Sequence, residues 1–67
     1  MENLSKYQKS LMRFYKKNGF DFFMICSSYR EALEFAIQYE NQITVKSFDN
    51  VLMFTNEEDL NVAKLIL

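Results

Sequence analysis

The feature that most constrains the fold is the segment "FDNVLMFT", in which a polar pair leads directly into four consecutive apolar residues, Val51–Phe54. Asp49 and Asn50 both tolerate positive φ better than most residues, so they predict a two-residue hairpin turn. A strand with no polar residue on either face is typical of the centre of a sheet that is covered on both sides. The sequence therefore predicts a central strand over Val51–Phe54, with an antiparallel neighbour before the turn.

Two further strands are predicted from changes in the hydrophobic period. "FDFFMICSS" contains the short apolar run Phe22–Cys26, which predicts a strand covered on both faces. "QITVKSF" alternates, with Ile43 and Val45 on one face and Thr44 and Lys46 on the other, as expected of an edge strand. We therefore expect three strands, of which the third along the chain is the most buried.

Three capping boxes predict where helices begin, because each pairs a hydroxyl residue with Glu or Gln three positions later. They are Ser5 with Gln8 (or a cap at Asn3 instead), Ser28 with Glu31, and Thr55 with Glu58. The helices that follow are expected over residues 4–18, over residues 29–39 and from Thr55 to the C-terminus.

These elements predict an α+β fold with the order α-β-α-β-β-α in a single domain, residues 1–67. With the third strand in the centre, the strand order is 1-3-2, which is a split β-α-β unit. The order 1-2-3 is the main competitor. The second and third helices should share one face of the sheet, and the first helix, or a partner, should cover the other.

The first helix has two opposite faces. Its apolar face is predicted to contain Leu4, Tyr7, Leu11, Phe14 and Tyr15, and its basic face contains Lys6, Lys9, Arg13, Lys16 and Lys17. Residues 1–20 carry a net charge of +4 and residues 21–67 a net charge of -5, within a total of -1. Three interpretations of the basic face remain open: a solvated helix surface, a docking surface for an acidic protein, or a nucleic-acid contact.

The composition excludes most catalytic chemistry. The chain has no His, one Cys and one Gly, so it lacks the usual general base and cannot form Cys/His zinc sites or a glycine-rich phosphate loop. Cys26 with Ser27 and Ser28 is interpreted as a buried small residue and a helix cap, and "NEED" at 56–59 as acids that suit a helix N-terminus. We therefore expect no enzyme, no cofactor and no metal.

The apolar residues of the sequence also predict where the protein is located and how it assembles. The sequence shows no signal-peptide pattern, and its longest apolar run, Phe22–Cys26, is far short of the roughly 20 residues that span a bilayer. We therefore expect a cytoplasmic protein without a membrane partner. The 49% of hydrophobic residues is high for 67 residues, so part of the apolar surface is expected at an interface, either a homodimer or a docking patch near the first helix and a sheet edge.

The C-terminal half resembles small orphan proteins of tailed bacteriophages. The similar stretches are "SSYREALEFAIQYE", "QITVKSFDNVLMFTNEED" and "LNVAKLIL", within residues 27–67. The resemblance implies an early phage protein that binds a host protein in the host cytoplasm and inhibits an enzyme or a defence system. The alternatives are a small regulator that contacts DNA or RNA through the first helix, and a structural accessory or self-associating module.

Overall fold

The computed structural model describes residues 4–67, which form six elements in the predicted order. They are α1 (Lys6–Lys17), β1 (Phe22–Ile25), α2 (Tyr29–Tyr39), β2 (Val45–Phe48), β3 (Val51–Phe54) and α3 (Glu57–Ile66). The predicted α+β class and the order α-β-α-β-β-α are confirmed.

The sheet has the order β1-β3-β2, as predicted, and both pairings are antiparallel. Phe54 lies opposite Phe22 on one side and Val45 on the other, and Val51 lies opposite Ile25 and Phe48. All four residues of β3 are completely buried. Asp49 has a φ of 48°, which is the positive value expected of the hairpin turn.

The two sides of the sheet bury separate clusters of apolar residues. One cluster joins Leu52 and Phe54 to Phe35 of α2 and to Leu60 and Ala63 of α3. The second cluster joins β3 to α1 and to the segment after it. Its buried members are Met12, Phe20, Val51 and Met53. Helices α2 and α3 therefore cover one face and α1 the other, as the sequence predicts.

Helix α1 begins as predicted but is rotated about its axis. Ser5 is the N-cap, with its hydroxyl accepting from the Gln8 N–H while the Gln8 side chain accepts from the Ser5 N–H, and Asn3 lies outside the described residues. The only fully buried residue of α1 is Met12, whereas Tyr7 is 66% and Phe14 is 59% exposed. The predicted apolar face is therefore wrong at these two positions. Apolar residues occupy a wider arc of the helix than a narrow three-stranded sheet can cover, so tertiary contacts select which of them are buried.

Helices α2 and α3 show smaller differences from the prediction. Ser28 caps α2, but the Glu31 carboxylate accepts from the N–H of Ser27 instead of completing a box with Ser28. The cap of α3 is Asn56 with Asp59, one residue after the predicted pair. Asn is at least as good an N-cap as Thr, and this start places Leu60 and Ala63 on the sheet.

The second strand is shorter than predicted. It begins at Val45, because the N–H of Ile43 donates to the carbonyl oxygen of Tyr39 and continues the turn that follows α2. Ile43 still packs against the same apolar cluster as Val45. Ile43 and Val45 therefore lie on the same face of the sheet, as predicted, although Ile43 is outside the strand.

Candidate functional site

The basic face of α1 is the set of five exposed cations Lys6, Lys9, Arg13, Lys16 and Lys17. The helix contains no acidic residue, and the first carboxylate after it is Asp21. Lys16 and Lys17 lie in the last turn, where cations interact favourably with the helix dipole. The structure thus places all five predicted site residues on a solvent-facing surface.

Three of the five cations also border a groove between α1 and β1. This α1–β1 groove is lined by Leu4, Lys9, Met12, Arg13, Lys16 and Phe23, and its volume is about 260 Å³. The Lys16 ammonium lies 5.8 Å from the centre of the Phe23 ring, within cation–π range. Lys6 and Lys17 do not line the groove, so the predicted site residues divide into two groups.

The sequence did not predict the apolar floor of this groove. Met12 belongs to neither predicted face of the helix, and Phe23 is predicted to be covered as part of a fully buried strand. Phe23 is instead half-buried, and it packs against the apolar cluster that contains Met12. No sequence signal identifies such a groove, since it depends on how the helix lies over the strands.

One further cation, Lys46, lies on the same face of the sheet. Lys46 lies opposite Met53, which lies opposite Phe23, so the three residues form a row across the sheet. Lys46 is exposed at the β2 end of that row. The face covered by α1 therefore has a basic residue at its far edge as well.

The aromatic residues of α1 do not all pack in the core. Tyr15 is half-buried and stacks on Phe48, with ring centres 5.6 Å apart and planes 9° apart. Tyr7 and Phe14 remain exposed on the flank of the helix beyond Lys17. Two of the three rings on the predicted apolar face are therefore outside the core, and both lie next to the basic face.

The segment around Cys26 has the properties of a structural element. Cys26 is only 4% exposed, and burial, followed by the negative charge of Glu31, raises the pKa of its thiol from 9.0 to about 11. The start of α2 is already occupied by the Glu31 carboxylate, which lies 2.9 Å from the Ser27 amide nitrogen. The interpretation as a buried residue with a helix cap is confirmed.

Of the three acidic residues in the first turn of α3, Asp59 takes part in the cap. Asp59 donates its N–H to the Asn56 Oδ1 atom and accepts from the Asn56 Nδ2 atom through its carboxylate. Within residues 4–67 no group of three or more acidic or cysteine side chains is arranged to hold a metal ion. The same part of the chain contains no helix with the length and hydropathy required to cross a bilayer.

A second groove lies between α2 and the end of α3. It has a volume of about 290 Å³, with Phe35, Tyr39, Ile66 and Leu67 among its apolar lining residues. The neighbouring surface of α3 exposes Val62 and Leu65, the latter at 87%. This patch lies on the opposite side of the sheet from α1. Exposed apolar residues therefore occur on both sides of the sheet, at Tyr7 and Phe14 of the first helix, as expected, and also on α3.

A comparison of the chain with protein-family models, curated proteins and solved structures finds no match to any of them. The fold and the candidate site are therefore interpreted from their own geometry, and the phage resemblance stays a prediction.

Proposed function

We propose that the protein is a non-enzymatic binding protein whose basic face docks onto an acidic surface of a partner protein. The observation that carries this proposal is the separation of charge. Helix α1 has five cations and no acid, whereas residues 21–67 have a net charge of -5. A surface of one sign on a nearly neutral protein steers an oppositely charged partner into one orientation.

The energetics of α1 support a role beyond solvation. A solvated helix needs only polar residues, and glutamates among the lysines would stabilise it. Lys9 instead precedes Arg13 by four positions, and Arg13 precedes Lys17 by four, so like charges are neighbours. Each such pair destabilises a helix by about 0.2–0.5 kcal/mol. An acidic partner would remove this repulsion on binding.

The charge of the remaining surface favours a protein over a nucleic acid. Twelve helical residues span only about 18 Å, which matches a local acidic patch on a protein. A longer polyanion that continued past α1 would meet the net charge of -5 of residues 21–67. The proposal therefore assigns the basic face to a protein partner.

A nucleic-acid contact is the second candidate, and the exposure of Tyr7 and Phe14 favours it. Exposed rings beside a row of cations can stack on unpaired bases while the cations contact phosphates. Such binding should weaken steeply as the salt concentration rises.

Self-association is the third candidate, because residues 21–67 of a second copy, with their net charge of -5, can attract α1. A complex of copies would be seen as a concentration-dependent mass in light scattering during size-exclusion chromatography. Loss of that mass at high salt would support contact through the basic face.

The expected biological setting follows from the phage resemblance of residues 27–67. In that setting the partner is a host enzyme or a defence factor in the bacterial cytoplasm, and binding inhibits it. No catalytic residue or cofactor is assigned to this chain.

The proposal is tested by affinity capture from a bacterial lysate, with and without nuclease treatment, with three forms of the protein. One is the native sequence. The second reverses three cations of α1, as Lys9→Glu, Arg13→Glu and Lys16→Glu. The third reverses the three cations outside α1, as Arg30→Glu, Lys46→Glu and Lys64→Glu, so that both variants have the same net charge.

We expect a protein that is captured by the native form and by the third form and lost with the α1 variant. Capture that vanishes after nuclease treatment would support the nucleic-acid candidate instead. Equal capture by all three forms would contradict any role of the basic face.

A further inference from the structure

We infer that the α1–β1 groove receives an apolar side chain of the partner that is flanked by carboxylates. This inference rests on the proposed function, and it specifies the chemistry of the docking segment. Charge complementarity identifies the occupant as an acidic segment of a protein, and the apolar floor requires an anchor residue within it.

The floor of the groove can take an apolar group in exchange for water. Met12 is 6% exposed at its base, and Leu4 and Phe23 are half-buried at its sides. Helix α1 is the helix that packs on this face, so the part of Phe23 beyond it stays in contact with solvent. Removing this apolar surface from water favours insertion of a hydrophobic side chain.

The rim supplies cations at a spacing that suits flanking carboxylates. Lys9, Arg13 and Lys16 lie along one side of α1, and the first and last are about 10 Å apart along the axis. In an extended peptide, side chains alternate between two sides, so the residues two positions before and two positions after an anchor point to the same side as the anchor and are about 14 Å apart. Carboxylates at these two positions can therefore reach different cations while the anchor enters the groove.

The size of the groove fits one or two side chains. Its volume of about 260 Å³ lies near the lower end of the roughly 300–1,000 Å³ of most small-molecule sites. An apolar cavity of about 150 Å³ is known to hold benzene, so one Phe or Leu side chain has sufficient room.

The inference is tested with two capped peptides that have the same charge. The first is Asp-Glu-Leu-Phe-Glu-Asp, and in the second serine replaces both leucine and phenylalanine. Each is titrated into the isotope-labelled protein, and backbone amide and Met12 methyl signals are followed by nuclear magnetic resonance. We expect the first peptide to shift the signals of Met12 and Phe23 and to bind about tenfold more tightly than the second.

Two charge-matched variants separate the groove from the basic face as a whole. Lys9→Ala with Lys16→Ala removes two cations of the groove rim, whereas Lys6→Ala with Lys17→Ala removes two cations that do not line it. All four positions are exposed, so both variants should fold. We expect the first pair to weaken binding of the apolar peptide about tenfold and the second pair only about twofold.

Each other result has a defined meaning. Equal weakening by the two variants, or equal affinity for the two peptides, contradicts the inference that the groove receives an apolar side chain. Either result leaves the proposed docking of an acidic protein intact. Absence of binding by the apolar peptide also contradicts the groove, and lysate capture then decides the proposed function separately. Stronger shifts of Met12 and Phe23 with a short oligothymidylate would assign the groove to nucleic acid.

Discussion

Asn50 and Cys26 are joined by two hydrogen bonds that run in opposite directions between the hairpin turn and the end of β1. The Cys26 N–H donates to the Asn50 carbonyl oxygen at 2.7 Å, and the Asn50 Nδ2 atom donates to the Cys26 carbonyl oxygen at 3.1 Å. The Asn50 Oδ1 atom also accepts from Gln8 Nε2 of α1 at 3.2 Å. One side chain therefore connects α1, β1 and the hairpin.

We predict that Asn50→Asp destabilises the protein by about 1–3 kcal/mol. The carboxylate keeps the size of the amide but cannot donate to the Cys26 carbonyl oxygen, which is left without this partner. Asn41→Asp is the matched control, because it introduces the same charge at an exposed position. Urea denaturation of both variants measures the difference, and equal stability of the two would show that the connection at Asn50 contributes little.

Phe54 and Phe14 provide a test of the central position of β3. Phe54 is completely buried, whereas Phe14 is 59% exposed. Phe54→Ala should reduce the free energy of unfolding by about 3–5 kcal/mol, and Phe14→Ala should change it by no more than about 0.5 kcal/mol. Thermal and urea denaturation compare the two. A large loss with Phe14→Ala would mean that its ring is in the core after all.

Arg13 tests whether the basic face is retained at the expense of stability. Arg13→Glu places an acid four residues from both Lys9 and Lys17, so it should stabilise the fold by about 0.3–1 kcal/mol. The same substitution should weaken binding of the acidic partner. Arg13→Gln, which removes the charge without adding an acid, should have a smaller effect on both. Higher stability together with undiminished capture would indicate a merely solvated face.

The raised pKa of the Cys26 thiol makes the stability of the protein depend on pH in the alkaline range. Because this pKa is raised from 9.0 to about 11, folding favours the neutral thiol. This contribution is fully present below about pH 9, and it is lost as the pH rises towards about 11. Its size is on the order of 2 kcal/mol.

Cys26→Ala removes this contribution and leaves the other titrating groups in place. The native protein should therefore lose more stability than the variant when urea denaturation is repeated at rising alkaline pH. Parallel loss in the two proteins would contradict the raised pKa.

The sequence was sufficient to predict the order of elements, the strand order and the side of the sheet that each helix covers. These properties follow from strong local signals. The fully apolar run Val51–Phe54 after a turn-forming pair leaves few arrangements other than a central strand. The cap at Ser5 is equally local, since the two side chains that form it are three residues apart.

The tertiary structure alone decided how α1 is rotated and where the groove forms. The apolar arc of α1 includes Tyr7, Phe14 and Met12, and the helical period does not state which of them meets the sheet. The rotation depends on contacts between distant parts of the chain, such as the stacking of Tyr15 on Phe48 and the Gln8–Asn50 hydrogen bond. Contacts of this kind have no periodic signature, so the sequence alone does not predict them. The sequence determined which residues carry the positive charge, and packing determined which of them border an apolar groove.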